Sequence, residues 1–160
     1  MSSISISLIE LIVKGIPEGL LDVLAVFILT RQPFVTKKYI IISVVFILSN
    51  YLIRLLPINF GVNTMIGLLI LVLLFVFFTK TDVPKLIKST IIILITLFLC
   101  EMANVAILTL IFGQTKLDDI LLDPMLKAAY GVPSTVLFGL SVFIMSKIVK
   151  KKNIETADPV

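Results

Sequence analysis

Five stretches of the chain, residues 8–30, 38–56, 61–79, 86–113 and 132–149, each approach the run of roughly 20 largely apolar residues that a helix needs to cross a bilayer. They are rich in Leu and Ile with no sustained alternation of apolar and polar positions, which argues against a membrane β-barrel. The expected fold is all-α: a polytopic integral membrane helical bundle of about five transmembrane helices. Residues 1–149 are read as one transmembrane domain and residues 150–160 as a polar cytoplasmic tail.

Composition narrows the chemistry. The chain is 59% hydrophobic and 15% charged, with a mean hydropathy of +1.17, whereas soluble chains are roughly a quarter charged. It has no His, no Trp and one Cys. An imidazole base, a phospho-accepting His, a zinc site and a disulfide are therefore excluded. No catalytic residue, metal site or cofactor is expected, and the protein is read as enzymatically inert. The net charge of +4 implies no nucleic acid partner.

The joins between the runs carry helix-breaking residues. Arg31-Gln32-Pro33 ends the first, and Pro57-Ile58-Asn59-Phe60-Gly61 turns the chain between the second and third. Asp82-Val83-Pro84 opens the fourth and Gly131-Val132-Pro133 the fifth, each with proline in the first turn, where its missing N–H costs nothing. No internal repeat is evident. Residues 1–13 contain no Lys or Arg, so the basic region of a cleavable signal is missing and the first run is expected to be retained.

Ten of the fourteen basic residues fall on one side of a five-span chain: Arg31, Lys37, Lys38, Lys80, Lys85, Lys88, Lys147, Lys150, Lys151 and Lys152. The positive-inside rule then places the N-terminus outside and the C-terminus in the cytoplasm of a bacterial cytoplasmic membrane. These clusters face anionic lipid. Outside, residues 114–131 form the one join long enough for structure of its own. Thr115-Lys116-Leu117-Asp118 resembles a capping box, and Leu117, Ile120 and Leu121 follow at helical spacing with Asp118 and Asp119 turned away. A short amphipathic helix on the outer membrane face, ended by Pro124, is expected; a plain bridging helix is the alternative.

Polar residues inside the spans are the candidate site. Glu10, Lys14, Glu18 and Asp22 are spaced four apart along one helix face. Gly15, Pro17 and Gly19 are expected to kink the same helix. Asn50 and Arg54 in the second span and Glu101 and Asn104 in the fourth complete the cluster. A charge in hydrocarbon costs several kcal/mol and faces the bundle interior or a wet cavity. A self-neutralising Glu-Lys-Glu ladder that glues helices together is the purely structural reading. Glu18 and Glu101 lie at similar depth and are expected to share a cavity, one of them neutral at pH 7 or holding a cationic group. Cys100 is read as a small buried residue.

Several short motifs are shared with a known family. Gly15-Ile-Pro-Glu-Gly19, Arg54-Leu-Leu-Pro-Ile-Asn-Phe-Gly61, Cys100-Glu101 with Asn104, the Asp123-Pro124 segment and Tyr130-Gly-Val-Pro133 resemble the multi-span N-terminal sensor region of clostridial and other Firmicute sensor histidine kinases of the accessory-gene-regulator, peptide-quorum-sensing type. The resemblance covers about residues 8–149. It implies reception of a ligand in the membrane. In that family a dimerisation helix and an ATP-binding kinase domain follow. Here there is no phospho-accepting His and no glycine-rich nucleotide box, so the kinase activity does not carry over. The expected function is a receptor or accessory module of a bacterial signalling system. A small transporter or substrate-binding membrane subunit for a cation or small solute, and a structural membrane subunit, are the alternatives. Expected partners are membrane lipid, a peptide or small-molecule ligand, and a homodimer mate or separate signalling or transport protein.

Overall fold

The computed structural model describes residues 11–54, 60–114 and 124–155, and among these every regular element is helical. A π-helical turn, Leu11–Gly15, leads into α1, Ile16–Leu29. Then follow α2, Thr36–Arg54, α3, Phe60–Thr79, α4, Val83–Phe112, and α5, Pro124–Glu155.

The sequence accounts for these boundaries. Pro84 sits in the first turn of α4, and Gly113 closes that helix at φ 78°, a backbone region open to glycine. Pro17 stands in the first turn of α1. It lacks the N–H that the preceding turn would need to continue as α-helix, and the chain widens into the π turn just before it. The kink expected from Gly15, Pro17 and Gly19 thus takes the form of a change of helical pitch. One expectation at the other end is corrected. Gly131-Val132-Pro133 does not open the fifth helix: α5 begins at Pro124, and Pro133 lies inside it. The same helix continues through the Lys-rich end to Glu155.

Helices α1 and α2 run in opposite directions: Gly19, early in α1, lies against Ile47, late in α2, where a Cβ would come 2.7 Å from Ile47 Cγ1, whereas Phe27, late in α1, has its ring 6.4 Å from that of Tyr39, near the start of α2. Helices α4 and α5 are likewise opposed, with Asn104 against Tyr130 and Cys100 against Ser141. α5 runs alongside α1 in the same sense: Gly131 lies against Lys14 and Gly139 against Leu21. Helix α1 is central, packing on α2, α4 and α5, and Phe27 reaches α3 with its ring 4.9 Å from that of Phe75. Its Val23, Ala25, Val26 and Phe27 are buried.

The outer surface is apolar. On α3, Met65, Leu69, Leu73 and Phe77 form an i, i+4 stripe that is 71%, 62%, 55% and 87% exposed. Ile40, Val44 and Leu48 on α2, Ile91, Ile95 and Met102 on α4, and Val136, Leu140 and Phe143 on α5 are also exposed. A soluble monomer does not present so much contiguous apolar surface. Three helical stretches are long and apolar enough to cross a membrane, Thr36–Ile53, Val83–Phe112 and Ala128–Lys150, and Met65–Thr79 is a shorter apolar helix.

Apolar burial against lipid drives helix association weakly, so close packing and polar contacts carry it. Gly19 lets α1 approach Ile47 of α2, and Gly67 lets α3 approach Asn50, whose Oδ1 would stand 2.5 Å from a Cβ at that position.

Candidate functional site

The half of the bundle around the π turn holds the charged side chains of the candidate site that lie among the described residues. Lys14, in that turn, donates to Glu101 Oε1 of α4 at 2.6 Å. The two side chains are 18% and 26% exposed. The aliphatic part of Lys14 also lies on Gly131 of α5, where a Cβ would come 3.3 Å from Lys14 Cδ. One cation thereby joins the π turn to two helices. Its pairing neutralises both charges and satisfies donors that lipid would leave unmet.

Glu18 and Asp22 take a different direction. With Leu11, Gly15, Gly19 and Asn50 of α2 they line a cavity of about 20 Å³. Glu101 is not part of its wall. Among the described residues the expected cluster falls into an ion pair, Lys14 with Glu101, and a cavity wall that includes Glu18 and Asp22. The reason lies in the pitch change. In a continuous α-helix, residues four apart stack above one another, but the wider π turn sets Lys14 off the line that Glu18 and Asp22 keep. Glu101 does hold a cationic group, and that group is Lys14.

Asp22 is buried at 8% exposure, and its Oδ1 has no hydrogen-bond partner among the described residues. Asn104, expected in the ligand cluster, is buried and donates through Nδ2 to the Tyr130 carbonyl at 2.8 Å. That carbonyl belongs to the turn of α5 just before Pro133, where the proline ring loosens the helical ladder. Ser134 Oγ donates to the Gly131 carbonyl beside it at 2.7 Å. Asn104 thus ties α4 to the turn of α5 that precedes Pro133. Cys100 is buried, as expected, with Sγ 3.8 Å from Ser141 Oγ of α5. Glu10 and the amphipathic segment Leu117, Asp118, Asp119, Ile120 and Leu121 lie outside the described residues, as does the side chain of Arg54.

At the other end of α1 the structure gathers a group that the charge pattern did not reveal. Phe27, Phe34, Tyr39 and Phe75 form an aromatic cluster, with ring centroids 5.9 Å apart for Phe27–Phe34 and 5.2 Å for Phe34–Tyr39. Aromatic residues flanking the basic 31–38 join were the available signal, since such residues favour a membrane interface.

The site so built has no nucleophile–base pair among the described residues, and no group of three or more metal-ligating side chains gathers there. Its means are a buried ion pair, a buried carboxylate and a cavity of about one water's size. No family model matches the chain, and neither a curated protein nor a solved structure does.

Proposed function

We propose that the protein is a five-span membrane receptor module of a bacterial signalling system, enzymatically inert, with its N-terminus outside and its basic end in the cytoplasm. The apolar outer surface on four helices supports the membrane placement. In that orientation the polar half of the bundle lies toward the outside and the aromatic cluster toward the cytoplasm. The observation that carries the reading is the three-way contact at Lys14. Its ammonium pairs with Glu101 on α4 and its stem rests on Gly131 of α5. A peptide, small molecule or membrane change that displaces Lys14 alters the seat of α5, and α5 runs to Glu155 beyond the apolar stretch that ends at Lys150. The resemblance to peptide-quorum-sensing kinase sensor regions accords with this direction of transmission.

The test is a chimera. The end of α5 is joined in helical register to the dimerisation and kinase domains of a sensor histidine kinase with a reporter promoter. Lys14→Gln and Glu101→Gln are each expected to shift reporter output at equal membrane levels. Output indifferent to both substitutions would leave the pair a structural brace. The Asp22 cavity favours a second reading, a membrane subunit that handles a small cation. Uptake of that cation into liposomes holding the purified protein would favour it over the receptor.

A further inference from the structure

Asp22 presents a problem that the Lys14–Glu101 pair does not solve. Its carboxylate is buried, Oδ1 is without a hydrogen bond among the described residues, and Lys14 is engaged elsewhere. A buried carboxylate is retained where something offsets its charge and occupies its lone pairs. The carboxylate lines a cavity of about 20 Å³, whose other polar wall groups are the Glu18 carboxylate and the Asn50 amide. A space of that size admits one particle of water size. An organic ammonium does not fit. A water molecule fits but leaves the charge in place. Protein sites for divalent ions draw on several charged side chains, and no gathering of three or more acidic, His or Cys side chains is present among the described residues.

We propose that the cavity between the π turn, α1 and α2 is a binding site for one small, hard monovalent cation of the size of Na⁺, with Asp22 as its principal ligand. Glu18 and Asn50 form the rest of the polar wall, and Gly15 and Gly19 keep the wall free of side chains that would fill it. Leu11 and Gly15 of the π turn belong to the same wall, and breaks in the regular α-helix are where membrane helices bind ions. Occupancy ties α1 to α2 through Asn50. The inference goes beyond the receptor reading and stands whether or not α5 transmits a signal; it uses only the exclusion of bulk water by lipid.

The experiment is thermal unfolding of the full chain in detergent, in NaCl against N-methylglucamine chloride at equal ionic strength. Na⁺ is expected to raise Tm saturably by about 5 °C at concentrations well above its Kd. Asp22→Asn is expected to lose that response, since the amide keeps the shape and removes the charge. Equal Tm in the two salts, the result expected if a proton or a cationic side chain neutralises Asp22 instead, would overturn the proposal. A Na⁺ response that survives in Asp22→Asn would overturn it too. Should Asp22→Asn fail to fold, ²³Na line broadening on the wild type decides: saturable broadening weakened by Asn50→Ala supports the site, and no broadening, or broadening untouched by Asn50→Ala, removes it.

Discussion

Lys14 Nζ lies 2.6 Å from Glu101 Oε1, so that the π turn preceding the central helix is fastened to the late part of α4 by two charges set among apolar helices. Each partner is costly alone and inexpensive paired, because removing one leaves the other uncompensated in a medium of low dielectric. The pair therefore behaves as one unit in packing, with the Lys14 stem against Gly131 of α5.

The first prediction rests on that coupling. Lys14→Met or Glu101→Met is expected to destabilise the bundle by about 3 kcal/mol. The double variant Lys14→Met with Glu101→Met is expected to recover at least half of the loss. Thermal unfolding in detergent measures all three. Additive losses in the double variant would mean that the two charges do not depend on each other.

A second prediction concerns the approach of α3 to α2. Gly67→Ala places a Cβ within 2.5 Å of Asn50 Oδ1, and the expected cost is about 2 kcal/mol of overpacking. Adding Asn50→Ala removes the obstructing amide and is expected to restore most of the stability. If Gly67→Ala alone leaves Tm unchanged, Asn50 has room to turn aside and the contact does not limit helix packing.

The Asn104 amide yields a third. Asn104→Leu withdraws the donor of the Tyr130 carbonyl and is expected to cost about 1 kcal/mol. In a Pro133→Ala background α5 regains a regular ladder, and the same substitution is expected to cost clearly less. A cost that is identical in both backgrounds would separate Asn104 from the proline.

The proposed topology is tested by labelling intact cells with an impermeant thiol reagent in a Cys100→Ala background. Gln114→Cys, exposed just beyond α4, is expected to react from outside. Lys85→Cys, whose parent side chain is 67% exposed near the other end of α4, is expected to react only after permeabilisation. The opposite pattern would invert the bundle, and reaction at both positions from outside would rule out α4 as a span.

Helical content and the places where helices break were legible in the order of residues, because both arise locally. An apolar run with Pro84 near its start and Gly113 at its end makes a helix whatever surrounds it. The charges of the candidate site were also legible as unusual, since Glu101 and the Lys14, Glu18, Asp22 series stand within long apolar runs. Their grouping was not. Spacing of four places three side chains on one face only if the helix is regular, and the π turn before Pro17 sends Lys14 to α4 while Glu18 and Asp22 face α2. Pro133 misled for a related reason. A proline is most often found at a helix start, but here α5 runs through it, and Asn104 and Ser134 add side-chain hydrogen bonds to the Tyr130 and Gly131 carbonyls beside it. Local chemistry thus determined which segments are helices and which residues are out of place in lipid. Which charge meets which, and which is left facing a cavity, was decided by contacts between helices far apart in the chain.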